Sequence, residues 1–418
     1  MTPAGEKSSL AALYSTRFAV EFRLMALDFQ QIYEKIKTIG VGARERRASL
    51  EGLRKHARGL LDFYADKADE LHAKLERARQ YDPNMRCALP LTERLDASLP
   101  APAEEEHLPH RIATLIAADG SQINPDRHAA VLYSLINVGA IAIQSGSGKP
   151  PAIFTSSDLK YGEELYTETG ILNEDLIAMG RDLAERQKLL ELAPQFSAPV
   201  IALTDGPVEL WGAKGSAEDA YRASLEKHLA ILSRLQGQGV TVAGYVDKPG
   251  ADLVIRLLEI ATTPDDKLKD IRRQHPLRGV TDLWLYNFLP SGYRSAVFGL
   301  QSGSRARYTG DLSLHFFYLN VGSEKHPSLA RIEIPKWVAE DEEKLNLLHA
   351  ALLDQCRAMS ARPYPYILHR AHEIAVVKLE EKKQVEQMLQ IELRRAGDEV
   401  GDGSNKQSAK DLPGKKRR

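Results

Sequence analysis

Two stretches of this 418-residue chain share one pattern: Ile-Ala-Ala-Asp-Gly-Ser at Ile116–Ser121 and Ile-Ala-Leu-Thr-Asp-Gly at Ile201–Gly206. In each, apolar and strand-forming residues run into an aspartate and then a glycine, so a strand delivers a carboxylate to its end and the chain turns away. A fold that sets two such strands side by side aims two carboxylates at one point, which is how proteins build oxygen sites for divalent cations. Either Asp-Gly alone also suits an ordinary strand-to-turn junction.

The surrounding segments predict how the strands are ordered. Extended segments are expected at Ile112 to Ala118, at His128 to about Val138, and at Ala140 to Gln144 with a continuation toward Phe154. A helix at about Asn173 to Leu192, a strand at Val200 to Thr204, a helix from Ser216 to Gly237 and a strand at Val240 to Val246 follow. Three strands and then strand, helix, strand is the order of an α/β ribonuclease-H-like mixed sheet with flanking helices. In that order Asp119 ends the first strand and Asp205 the fourth, as neighbours at the sheet centre. After Pro249 the pattern is helical to Phe288. Strands follow at Leu312 to Asn320 and Ala330 to Ile334, then helices at Asp341 to Met359 and Tyr366 to Arg395.

Four regions result. Residues 1–82 read as an N-terminal helical hairpin or coiled-coil arm, since Leu53, Leu60, Leu61, Tyr64, Leu71 and Leu75 fall near one helix face. Its Arg44, Arg46, Arg47, Arg54, Lys55 and Arg58 suit a DNA clamp or a solvated charged face equally. Residues 83–110, proline-rich with Glu104, Glu105 and Glu106, read as a linker, residues 111–396 as the catalytic domain, and residues 397–418, ending Lys-Lys-Arg-Arg, as a disordered basic tail.

Composition narrows the class. With 43% apolar and 27% charged residues the chain is a globular protein, and its net charge of −1 argues against indiscriminate coating of nucleic acid while leaving room for a local basic channel. Two cysteines, Cys87 and Cys356, make no metal-site spacing or disulfide framework. No signal-like start and no run of about 20 apolar residues are present, so a cytoplasmic protein without a membrane segment is expected.

Paired acidic strand ends repel unless a hard cation such as Mg²⁺ or Mn²⁺ neutralises them. Two such ions roughly 4 Å apart activate a water and stabilise the leaving oxygen of a phosphodiester, which makes phosphodiester hydrolysis the natural reaction. A third feature is Tyr364-Pro365-Tyr366, followed by His369, His372 and Glu373 on a helix. The order is not that of a His-Glu-x-x-His zinc site, so a structural or catalytic histidine is expected rather than a zinc ligand.

Read together, these residues resemble the NurA nuclease family from about Arg111 to Gln390. Asp119 matches the family's Asp-Gly-Ser motif, Asp205 its second Asp-Gly motif, and Tyr364 with His372 its C-terminal motif, with Ile367-Leu368 slightly shifting the apolar pair. Ala330-Arg331-Ile332-Glu333-Ile334-Pro335 looks like its Arg-Val-Glu-Ile-Pro stretch. Thr204 and Pro207 depart from the second motif without removing a ligand. The resemblance implies a catalytic glutamate on the helix before the second motif, Glu185 or, in another register, Glu191. It further implies a Mn²⁺-dependent deoxyribonuclease, with Mg²⁺ as the alternative ion and two ions bound. The metal would be held by Asp119, Glu185, Asp205 and His372, with Tyr364 orienting a phosphate or ligand. Its implied setting is a homodimer acting with a HerA-type hexameric ATPase in DNA end resection during break repair. A non-catalytic adaptor for such an ATPase and an RNA-cutting enzyme on the same fold are the alternatives.

Other signals bear on substrate binding. Arg127 and His128 could hold a phosphate beside Asp119, although Asn124-Pro125-Asp126 is also a good turn. Arg294, Arg305 and Arg307, with Tyr293 and Tyr308, combine charge and aromatic rings suited to a nucleic-acid strand or to surface loops. Asp282 is a further acidic ligand or a helix cap. Gly146-Ser147-Gly148-Lys149 lacks a phosphate-loop pattern, and Pro150 stands where a helix would begin.

Overall fold

The computed structural model describes residues 27–102, 113–167, 170–212, 218–359 and 362–398. The expectations on residues before Leu27, on Glu104–Glu106, on Arg111 and Ile112, on Ser216 as a helix cap and on the tail after Asp398 fall outside them. Two compact units are present, Met1–Ala57 and Arg58–Arg418. In the first, helix α1 (Phe29–Gly40) starts at Asp28, whose carboxylate accepts the N–H groups of Gln30 and Gln31 at 3.1 Å each. Helix α2 (Ala43–Tyr64) follows and continues into the larger unit, where α3 (Ala68–Arg79) comes next.

The larger unit is built on a nine-stranded sheet. Its strands are β1 (Cys87–Leu89), β2 (Thr114–Ile123), β3 (Tyr133–Gln144), β4 (Ala152–Tyr161), β7 (Val200–Asp205), β8 (Thr241–Asp247), β9 (Phe298–Gln301), β10 (Leu314–Asn320) and β11 (Leu329–Pro335). β5 (Tyr166–Thr167) and β6 (Gly170–Ile171) form a separate two-stranded ribbon. The sheet order is β1-β9-β10-β11-β8-β7-β2-β3-β4. β2, β3 and β4 are an antiparallel meander, β2, β7 and β8 run parallel, and β11 returns antiparallel to β8. Helix α4 (Glu174–Leu192) connects the meander to β7, and α5 (Glu218–Gly237) connects β7 to β8. This is the ribonuclease-H-like mixed sheet expected from the sequence. Helices α6 (Leu253–Thr262), α7 (Glu342–Arg357), α8 (Tyr366–Ala375) and α9 (Leu379–Arg395) complete the unit.

One apolar face of the central strands, including Leu115, Ala117, Ile201 and Leu203, packs on α7 and α8 through Leu345, Leu348, Ile367 and Ala371. Side chains alternate along a strand, so Asp119 and Asp205 continue this same face.

Four local expectations differ from the structure. Asp119 does not end its strand: β2 runs on to Ile123, and Gly120 makes no turn. Ala140–Gln144 is the second half of β3, and the third strand is Ala152–Tyr161. The expected boundary between Val138 and Ala140 falls on Gly139, which sits in mid-strand opposite Asp119; β4 is a sheet edge, largely exposed, and so lacks an apolar signature. Tyr366–Arg395 is two helices broken at Val376–Lys378. Finally, the segment read as a linker supplies β1, with Cys87 and Ala88 fully buried against β9.

Asp282 lies away from the carboxylate pair as a cap for another helix. Completely buried, it accepts the N–H groups of Val254 and Ile255 at 2.9 Å each at the start of α6, and the Tyr318 hydroxyl at 2.6 Å. Burial pushes its carboxyl up to about 6 against the pull of these donors. Asp282→Ala leaves three buried donors without an acceptor and is expected to cost about 4 kcal/mol in urea unfolding; a loss under about 1 kcal/mol would contradict this role.

Candidate active site

Asp119 and Asp205 meet because β2 and β7 pair in parallel with Ala118 opposite Thr204, which puts both aspartates one residue past the last paired position and on the same face. Asp205 ends β7, and Gly206 at φ +90° turns the chain, a backbone state that favours glycine. The turn is held from below. Gly244 has no side chain where Gly206 O and Val208 N approach its Cβ position to 2.5 and 2.8 Å. Glu333 accepts the Val208 N–H at 3.1 Å, and Arg186 donates to Pro207 O at 3.1 Å. Glu333 is fully buried and paired with Arg331 at 2.8 Å, so the charged residues in the Arg-Ile-Glu-Ile-Pro stretch serve the loop behind Asp205.

The third carboxylate comes from the opposite face. Asn173 caps α4 by accepting the Leu176 N–H at 2.9 Å, and the helix brings Glu185 against β2. A Cβ on Gly120 would lie 2.8 Å from Glu185 Oε1 and 2.5 Å from Arg181 Cγ. Gly120 is therefore a window in the strand through which Glu185 approaches the Asp119 carboxylate. Glu191 is on another side of the helix, half exposed and tied to Lys188 at 2.9 Å, so the structure brings Glu185 to the site and leaves Glu191 outside it.

The electrostatics follow. Glu185 is buried, and desolvation raises its pKa to about 8, with the charges of Asp182 and Asp119 adding and Arg186 and Arg181 opposing. Its carboxyl stands 3.4 Å from Arg181 Nε. Asp205 is also raised, first by desolvation of its carboxyl and then by Asp119, against the hydrogen bond from Tyr364, the charge of His372 and the Gly206 N–H.

His372 and Tyr364 come from α8 and the segment before it. His372 Nδ1 lies 2.7 Å from Asp119 Oδ2, with its ring 64% exposed. Tyr364 packs edge-on against Tyr245 at 5.5 Å and hydrogen-bonds Asp205, and burial with that carboxylate raises its hydroxyl pKa. The end of α8 is latched to the strands. Ser121 Oγ donates to Ala375 O at 2.5 Å and accepts the Val377 N–H at 3.3 Å; Asn137 Nδ2 donates to the same carbonyl at 2.8 Å. Ser121 thus takes the place of helix-ladder partners and ends α8 in a register that sets His372 on Asp119. Gly139 completes the seat: a Cβ there would lie 2.4 Å from Ala375 N.

Among the described residues no three His, Cys, Asp or Glu side chains converge as a ready-made metal cage. The donor chemistry nevertheless fits a hard cation. Asp119 and Asp205 lie side by side on one face, with Glu185 behind Gly120; burial disfavours the charged forms of Glu185 and Asp205, and His372 on Asp119 and Tyr364 on Asp205 are partners a cation can displace.

A family model for the NurA domain matches residues 113–377, close to two thirds of the chain. The chain belongs to the NurA nuclease family. Among solved structures it is similar to the NurA nuclease of Sulfolobus solfataricus, at 13% identity and a TM-score of 0.45, covering 88% of this chain and 98% of that one. It is also similar to the catalytic domain of human endonuclease V, at 12% identity and a TM-score of 0.30, covering 77% of this chain and 98% of that one. A search of curated proteins gives no match. No helix among the described residues is long and apolar enough to cross a membrane.

The remaining sequence-expected residues of this NurA chain divide. Arg127 and His128 are exposed in the turn after β2, with the His128 N–H donated to Asp126 at 2.8 Å. Arg307 is exposed, its guanidinium 5.6 Å from the Tyr221 ring centre, and Arg305 donates to Gln301 at 2.8 Å. Arg294 is buried between Glu93 at 3.3 Å and the Ser295 carbonyl at 2.9 Å, where it closes the sheet rather than facing a strand of nucleic acid. His369 pairs with Glu373 at 3.6 Å, apart from the carboxylates. Sequence reasoning missed Gly139, Arg186 and the separate roles of Gly120 and Ser121. The signal available for the first was a glycine in the middle of an otherwise apolar strand.

Proposed function

We propose that this NurA chain is a divalent-metal-dependent DNA nuclease that hydrolyses phosphodiesters, with Mn²⁺ as its preferred ion. The observation that carries this reading is the placement of Asp119 and Asp205 on one face of adjacent parallel strands, with Glu185 behind Gly120 and His372 at 2.7 Å from Asp119. Cations held there by the three carboxylates would supply a Lewis acid for the phosphate and lower the pKa of a water. The protein's own groups do the rest. Asp119 accepts from His372 Nδ1 and so leaves Nε2 as the ring nitrogen that meets the substrate, to hold a phosphate oxygen or to receive the proton of the attacking water. The Tyr364 hydroxyl fixes the Asp205 carboxylate and stands where a phosphate oxygen can be oriented. Arg181, on α4 beside Glu185, balances negative charge as substrate phosphate enters.

Family resemblance supports the wider setting of this proposal: two ions, a homodimer, and a HerA-type ATPase partner in end resection during break repair. End-labelled single-stranded and duplex DNA, with matching RNA, incubated with Mn²⁺, Mg²⁺ or EDTA tests the activity. Metal-dependent DNA products are expected. Products from RNA alone, or none with the ATPase present, would overturn the reading.

A further inference from the structure

Where α8 breaks and α9 begins, a groove of about 550 Å³ opens along the distal half of β2. Its floor is Gln122, Ile123 and Asn124, and its far wall is Val377 to Leu379 with Lys382. The groove begins at Ser121, the residue that latches the histidine helix, on the strand that carries Asp119. From Asp119 to Asn124 is five strand residues, about 17 Å, or about five nucleotides at the axial spacing of a duplex strand.

We infer that this groove holds the DNA strand on one side of the scissile phosphate, with Lys378 and Lys382 on successive phosphates. The inference rests on the nuclease reading above and extends it to a second contact region. Charge favours a polyanion. Lys378, the N-cap of α9, and Lys382 lie one turn apart; Lys378 is exposed and Lys382 half-buried. The acidic groups facing them are engaged elsewhere: Asp126 accepts the His128 N–H at 2.8 Å, and Glu381 accepts the Lys378 N–H at 2.7 Å. Glu386 stands 3.8 Å from Lys382 Nζ, a distance at which a phosphate competes for the ammonium. The floor is uncharged, with Gln122 donating to Asn124 at 2.8 Å, and so does not repel a phosphate chain. Leu379, 61% exposed at the lip, offers an apolar surface to a base.

The test compares kcat/KM for a single-stranded DNA oligonucleotide in Mn²⁺ as salt rises from about 50 to about 200 mM, in the full chain and in Lys378→Ala/Lys382→Ala. Each phosphate contact on a single strand adds about 0.7 to the slope of log affinity against log salt. The double variant is therefore expected to lose about 1.4 from that slope and to be about tenfold weaker at low salt, with an unchanged unfolding midpoint. Lys378→Arg/Lys382→Arg is expected to restore the parental slope. A double variant with the parental slope on a parent that cuts DNA overturns the groove alone. A parent that cuts no DNA overturns the nuclease reading and the groove with it.

Discussion

Asp119→Asn is expected to lower the single-turnover rate of DNA cleavage by at least about 10³-fold while moving the thermal unfolding midpoint by no more than about 3 °C. The size of the effect follows from what one side chain joins. Asp119 accepts from His372, lies beside Asp205 on the same face, and faces Glu185 across the Gly120 window. Asparagine keeps the shape and the β2 pairing but loses the charge that draws in a cation, and it presents an amide to the histidine. Stability should not suffer, because the change removes a negative charge that raises both Glu185 and Asp205. Cleavage within tenfold of the parent would remove Asp119 from the chemistry.

Gly139→Ala should be nearly as damaging to activity, from a residue that touches no reacting atom. A Cβ at this position falls 2.4 Å from Ala375 N and 2.7 Å from the Ile374 carbonyl carbon, both backbone atoms that cannot rotate aside. The end of α8 must shift by about 1 Å, and it carries His372 three residues upstream. A displacement of that size costs about 10²-fold in rate, and the overpacking costs about 1–3 kcal/mol in stability. Ala375 is also the anchor for Ser121 and Asn137, so no other seat is available to the helix. Parental kcat together with parental stability would show that the approach of α8 to β3 is not required.

How much of this was legible in the sequence depends on the length of the interaction. The two Asp-Gly runs and the strand-helix-strand order were readable because apolar periodicity and chain order are local properties, and they place Asp119 beside Asp205 without side-chain detail. The choice of Glu185 over Glu191 was open because both fit a helix; the structure places Glu185 against Gly120, a contact across 65 residues that no local pattern reveals. Gly120 read as a turn, and the boundary expected between Val138 and Ala140 fell on Gly139, because a lone glycine looks the same whether it bends the chain or admits a neighbour. The Tyr366–Arg395 helix read as continuous because Ser121, which replaces its ladder partners, is more than 250 residues away. Arg294 read as surface because its partner Glu93 lies in a segment that looked like a linker.

The central claim, that these carboxylates hold a divalent cation, is tested most directly by calorimetric titration of Mn²⁺ into the full chain and into Asp119→Asn at several pH values. Burial holds the Glu185 proton up to about pH 8, whereas an ordinary glutamate loses it near 4.5. Between those values the folded metal-free protein binds a proton that the unfolded chain has released, so its stability falls as pH rises through the window. A cation that takes the place of that proton must bind more tightly as pH rises, by about tenfold per unit below pH 8 for one proton released. The account predicts Mn²⁺ binding in the parent with this pH dependence and its loss in Asp119→Asn. Binding that is absent in the parent, or equal in the two proteins and indifferent to pH, would contradict it.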